Sequence, residues 1–272
     1  MERKKRPTGI SFSITLFSIA WLSVSTAQAA LIVNPAAEIV GQVTVQPIVV
    51  SDDNGTNTAN YFGNATQQAS IIGFVDDVWA QAGLDIEFLS ANNWDSSFAN
   101  NGTNLPRPRS DLGTIRTEGD TAGVINADPN VINMFFVNVV PGFNVLGNGS
   151  AAGLAFINSN GIAQYVGSNL LTFSSGWETI ASVVAHEIGH NLGLDHNTIN
   201  QNLMGSGSGV IDGERLNASQ IANVLDSRFV VAAAPVPVPA AVWLLLSALA
   251  GLFSKFHINT KIANEDQALH PA

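Results

Sequence analysis

The segment His186-Glu187-Ile188-Gly189-His190-Asn191-Leu192-Gly193-Leu194-Asp195-His196 constrains this chain more tightly than any other. His186 and His190 are four residues apart, so on a helix they project from one face, one turn apart. Two imidazoles so placed can both reach one zinc ion at the ~2.0–2.1 Å that Zn–N bonds need. Glu187 follows His186 directly. Its carboxylate can reach a water in the open position of that zinc without ligating the metal. Gly193 is where the helix should end, because glycine accepts the left-handed conformation after a helix C-cap. The chain then turns back, and His196 can close the set as third ligand. Ile180, Val183, Val184, Ile188 and Leu192 supply apolar surface to seat the helix against a core.

His-Glu-x-x-His alone is a moderate signal. The extended pattern also fixes a glycine and a third histidine, and its chance occurrence is on the order of 10⁻⁵ or lower. The competing readings are three histidines on an exposed helix and turn without metal, and a purely structural zinc. A structural zinc is usually closed by four protein ligands. The chain has no cysteine, and its other two histidines, His257 and His270, lie far from the motif. One catalytic Zn²⁺ with an open water position is therefore expected. The Asp52-Asp53-Asn54 cluster is a weaker candidate for calcium, with a solvated loop the better reading.

Charge divides the chain into three parts. The formal net charge is −10, yet basic residues crowd the ends: Arg3 to Arg6, then Lys255 and Lys261. Between Ala30 and Val231 there are five arginines, no lysine and 18 acids, a net charge of −13. An acidic surface without lysine repels phosphate, which argues against nucleic acid as a partner. Residues 1–29 have the layout of a secretory signal peptide: a basic start, an apolar run from Ile10 to Val24, and Ala27-Gln28-Ala29 as a cleavage site before Ala30. Residues 30–230 are the expected catalytic domain. Residues 231–257 contain a proline-punctuated stretch, Val236-Pro-Val-Pro-Ala-Ala-Val-Trp-Leu, and an apolar run from Ala240 to Phe253. That run is shorter than the ~20 residues that cross a bilayer comfortably. Residues 258–272 form a C-terminal tail.

Within the middle part, Ile39 to Val50 alternates and reads as a strand. Ser51 to Asn64 reads as a polar loop. Gln67 to Ala82 has helical spacing in Ile71, Phe74, Val75, Val78 and Trp79. Asp85 to Leu89 reads as a short strand, and Ala91 to Asp128 as a long irregular stretch that is a candidate for shaping the cleft. Val131 to Val140 reads as a central buried strand. Gly153 to Asn158 is a shorter strand, and Gly161 to Phe173 is a candidate for another. Trp177 to Leu192 and Asn217 to Arg228 read as helices, with Asn217 a candidate N-cap. The order predicts a mixed sheet with one long helix packed on it.

The histidine motif resembles that of the metzincin clan of zinc peptidases, and His190-Asn191-Leu192-Gly193 resembles its reprolysin (adamalysin-like) group. That group usually follows the third histidine with aspartate, where this chain has Asn197. The resemblance implies an α+β, metzincin-like zincin fold: a mixed twisted sheet packed on an active-site helix, with a small C-terminal lobe. It implies that Met204, in Asn202-Leu203-Met204-Gly205, forms a methionine turn beneath the ligands. It also implies that Gly153-Leu154-Ala155-Phe156 is an edge strand able to pair with an extended substrate. The implied activity is that of a zinc endopeptidase acting on proteins or peptides, with Glu187 as general base. The C-terminal stretch is similar to the PEP-CTERM sorting signal of Gram-negative bacteria. That similarity implies an exosortase as processing partner, membrane contact through the C-terminal segment, and a cell-surface or extracellular location. A zinc hydrolase acting on another bond, and a non-catalytic or degenerate surface or matrix protein associated with exopolysaccharide, are the alternative functions.

Overall fold

A computed structural model describes residues 32–101, 108–139, 152–205 and 213–233. The expected signal peptide, nearly all of the sorting segment and the C-terminal tail lie outside these residues. Among the described residues no helix is long and apolar enough to cross a membrane.

Strand β1 (Gly41–Ser51) is the spine of a seven-stranded sheet. It is followed by α1 (Ala65–Ala80), β2 (Leu84–Phe88), β3 (Asn92–Asp95), α2 (Ser97–Asn101) and α3 (Pro108–Thr121). Then come β4 (Ile132–Phe136), β5 (Gly153–Ala155), β6 (Ile162–Gln164), a 3₁₀ turn at Leu170–Thr172, α4 (Ser174–Asn191), α5 (Ala218–Leu225) and β7 (Val230–Ala232). The main path is β2-β1-β4-β6-β5. The pairs β1–β2, β1–β3, β1–β4 and β4–β6 are parallel. Only β5, at the edge beside β6, and β7, beside the start of β1, run antiparallel.

The side-chain alternation of the strands sorts the core onto two faces. Val43, Val45, Ile132, Met134, Phe136 and Ile162 point into a cluster with α1 and α4. Ile48, Val50, Phe135, Val137 and Ala163 point the other way, into a cluster with Ala99 of α2 and Leu112 and Ile115 of α3. Helices therefore cover both faces, as a mostly parallel sheet requires. Pro47 sits mid-strand in β1, where a missing N–H would normally break a ladder. It falls between the stretch paired with β2, which ends at Val45, and the stretch paired with β3, which begins at Ile48. Buried Gln46 closes the gap by donating from Nε2 to the Ser90 carbonyl at 2.8 Å.

Helix α1 starts two residues earlier than the apolar spacing indicates. Asn64 accepts from the Thr66 and Gln67 amides, and Gln67 reaches back to the Asn64 amide, a capping box. The same reciprocal pair, Asn217 with Gln220, starts α5 and places Asn217 as the expected N-cap. The stretch expected to be irregular between Ala91 and Asp128 instead holds β3, α2 and α3. In α3 the apolar anchors are sparse and Gly113 and Gly119 interrupt the pattern, so periodicity hid it. Gly119 packs closely there: a Cβ would meet the Phe135 ring at 3.1 Å. The segment after Gly193 carries α5 and β7. Its Leu194, Leu203, Met204, Leu216, Val224 and Phe229 join the main core instead of building a separate one.

Candidate metal centre

Helix α4 is buried along most of its length because Ile180, Ala181, Val184, Ala185 and Ile188 face α1 and the sheet. That packing fixes the axis on which His186 and His190 are mounted. The helix ends as expected at Gly193, whose φ is +100°. The Gly193 amide donates to the His190 carbonyl at 3.0 Å and the Leu194 amide to the Gly189 carbonyl at 2.9 Å. These two bonds define a Schellman turn. The turn also aims the Leu194 carbonyl back at His190, whose Nδ1 lies 2.8 Å from it. A single glycine thus ends the helix and orients one imidazole.

His186 is held in the same way. Its Nδ1 lies 2.6 Å from the Leu203 carbonyl. A carbonyl only accepts, so each Nδ1 carries the proton and each Nε2 presents its lone pair. Burial pushes the His186 pKa down to about 4, aided by the neighbouring His190 and His196 and opposed by the Leu203 hydrogen bond. At neutral pH this ring is therefore uncharged, as a ligand must be. His196 Nε2 stands 3.1 Å from the Nε2 of both His186 and His190. Neighbouring ligands on a tetrahedral zinc stand about 3.3 Å apart, given its Zn–N length. All three ligand atoms lie within 4.8 Å of one another, and His196 is the exposed member that leaves an open side. The donor set and spacing fit one zinc ion, and the three histidines would hold it.

Glu187 follows His186 on α4, and Gly153 of β5 lies against its side chain. Glu187 is only 6% exposed, and its Oε2 is sealed from solvent with no hydrogen-bond partner. Burial pushes its carboxyl up to about 8. A buried oxygen without a partner is costly, on the order of 1–3 kcal/mol or more for a charged group.

Met204 is fully buried, with its thioether against Gly189 of α4. Its loop is pinned by Asn202, whose Oδ1 accepts from the Met204 amide, from Asn197 Nδ2 at 2.6 Å and from Gln220 Nε2. The Asn197 amide in turn donates to the Met204 carbonyl at 2.9 Å. The third histidine's neighbour is thus tied directly to the methionine turn. Of the expected site residues, His186, His190 and His196 converge; Glu187 follows His186 on α4, Gly193 ends that helix, and Met204 packs against Gly189 within it. Gly153 and Gly189 were not singled out as site residues, although a glycine inside the helix pattern, costing about 1 kcal/mol against alanine, was a signal that something packs there.

The calcium reading of Asp52-Asp53-Asn54 finds no support. Asp52 Oδ1 accepts from the Asn100 and Asn101 side-chain amides, both at 2.8 Å, and Asp53 Oδ1 accepts from the Ser97 amide. Those bonds hold the Asp52 carboxyl below its usual range and tie the loop to α2. Among the described residues the histidine triad is the only cluster of three or more His, Cys, Asp or Glu that could hold a metal. Helix α3 lies on the sheet face opposite α4. It approaches the end of β5 through a groove of about 650 Å³ lined by Arg116, Thr117, Phe156 and Ser159.

Residues 67–197, just under half of the chain, match the family model described as metallo-peptidase family M12B, reprolysin-like. No curated protein matches the chain. Among solved structures it is similar to an archaemetzincin from Methanopyrus kandleri, with 15% identity and a TM-score of 0.45 over 68% of this chain and 95% of the other. It is similar to metalloproteinase-II from Bacteroides fragilis, with 15% identity and a TM-score of 0.45 over 72% of this chain and 55% of the other. A zinc-dependent peptidase from Methanocorpusculum labreanum is a third likeness, with 12% identity and a TM-score of 0.43 over 66% of this chain and 99% of the other.

Proposed function

We propose that this protein is an exported zinc-dependent endopeptidase. The observation that carries the reading is the pairing of three convergent imidazoles with the partnerless, buried carboxylate of Glu187. A zinc ion bound by the triad supplies Lewis acidity, lowering the pKa of water towards ~7 and polarising a carbonyl. The backbone carbonyls of Leu203 and Leu194 keep His186 and His190 in the ligating tautomer. Glu187 takes the proton from the attacking water on its carboxylate and later delivers it to the leaving amine. Next to a divalent cation its ionised form is favoured, which reverses the effect of burial. Strand β5 pairs only with β6 among the described residues, so its outer edge can receive an extended substrate backbone. Backbone pairing with an extended segment suits the interior of a chain, which supports endopeptidase action.

Export rests on the signal-peptide layout of residues 1–29. Surface attachment or release through an exosortase-type enzyme rests on the Val-Pro-Val-Pro stretch and the apolar run to Phe253. The expected mature protein begins at Ala30, and N-terminal sequencing of the secreted form reads this directly. The catalytic assignment is tested by Glu187→Ala. The variant should bind one zinc per chain and lose cleavage of casein. Cleavage at the wild-type rate would sink the assignment.

A further inference from the structure

Strand β5 does more than offer an edge. Its first residue, Gly153, lies against the Glu187 side chain. A Cβ on Gly153 would fall 2.4 Å from Glu187 Cγ, 2.5 Å from Oε1 and 2.6 Å from Cδ. Real Cβ contacts are essentially never that short. The backbone of Gly153 is not in the left-handed region, so conformation is not why glycine stands there. The reason is space. The alternation of β5 puts Gly153 and Ala155 on the α4 face, while Leu154 packs with the opposite cluster. The strand that bears the free edge is therefore the strand that closes over the carboxyl group. The other carboxylate oxygen, Oε2, remains without a hydrogen bond, so packing rather than bonding sets the position of this side chain.

We infer that Gly153 is a positioning residue for Glu187: its missing side chain lets the edge strand seat the carboxylate against the backbone that receives substrate. The inference rests on the peptidase reading of Glu187, and adds that strand placement and proton transfer are mechanically linked. Substrate paired on β5 is held at a fixed distance from the group that moves its proton.

A double-mutant cycle tests this. Gly153→Ala should keep one zinc per chain and change KM by less than about two-fold. Its kcat should fall by about ten- to a hundred-fold, the scale expected when a reacting group is misplaced by about 1 Å. Glu187→Ala removes Cγ, Cδ and both oxygens and so vacates the contested space. In that background Gly153→Ala should lower the unfolding temperature less than it does beside the native Glu187, so the two changes do not add. If Gly153→Ala alone fails to fold, a double variant that folds still bears the inference out. A double variant that also fails to fold, or equal destabilisation in both backgrounds, would overturn the inference, as would a Gly153→Ala protein with wild-type kcat. A crystal structure of Gly153→Ala reads the same claim without turnover. The Glu187 carboxyl should move by about 1 Å or more, and an unmoved carboxyl contradicts the claim. An inactive, zinc-loaded wild type would instead refute the peptidase reading, with the crystal structure still judging Gly153.

Discussion

The thioether of Met204 occupies the space that any side chain at position 189 would need: a Cβ on Gly189 would stand 2.8 Å from Met204 Sδ. Gly189 lies on α4 between His186 and His190, so the methionine packs directly beneath the turn that carries both rings. Gly189→Ala should force Met204 aside. Overpacking of this kind costs about 1–3 kcal/mol, which outweighs the gain of up to about 1 kcal/mol in helix propensity. Thermal unfolding should show that loss, and a zinc competition assay should show weaker binding, because the Leu203 carbonyl that orients His186 moves with the same loop.

Met204→Ala leaves a void under the ligands instead. A buried Met→Ala change costs about 2–5 kcal/mol, whereas Met204→Leu keeps the volume and should cost less than about 1.5 kcal/mol. Chemical denaturation separates the two. Equal stability of the Ala and Leu variants would contradict a packing role for the methionine.

Asn197→Asp inserts the residue usual in the reprolysin group and should nonetheless destabilise this chain. Asn197 Nδ2 donates to Asn202 Oδ1, and Asn202 Nδ2 already donates to Gln220 Oε1 at 2.8 Å. An aspartate would set oxygen against oxygen. Rotating the Asn202 amide to meet it would cost the Met204 amide its acceptor. A loss of about 1–3 kcal/mol is expected, read by denaturation. An unchanged stability would show that the network adapts freely.

The metal-free protein should lose stability as pH rises towards 8. Burial raises the Glu187 carboxyl from 4.5 to about 8, so between those values the folded chain holds a proton that the unfolded chain has released. Stability therefore falls with rising pH across that window. The His186 shift acts in the opposite sense, but only between about 4 and 6.5, where the unfolded ring alone is protonated. From pH 6.5 to 8 the Glu187 effect stands alone of the two, at about 1 kcal/mol per pH unit. Denaturation in chelator should show this slope, and Glu187→Gln should flatten it.

What the sequence revealed followed from how each feature is encoded. The triad, Glu187, the stop at Gly193 and the cap at Asn217 were legible because side-chain type and spacing specify them. The acceptors for His186 and His190 were not, because they are the carbonyls of Leu203 and Leu194, and every residue has one. Gly153 was hidden because its role is an absence of atoms, visible only once β5 lies over α4. Helix α3 was missed because Leu112 and Ile115 are too few to mark a stripe between two glycines. Strand β7 was missed because three half-exposed residues carry no period, and only pairing with Gly41–Val43 makes them a strand.

The central claim is that three histidines and Glu187 form a working hydrolytic centre. The most direct measurement is casein cleavage by the purified protein with and without chelator, beside Glu187→Ala, with zinc counted by mass spectrometry. The expected result is one zinc per chain in both proteins, with cleavage by the wild type alone and lost on chelation. Chelator-insensitive cleavage, or zinc-loaded wild type that cleaves no better than Glu187→Ala, would contradict it.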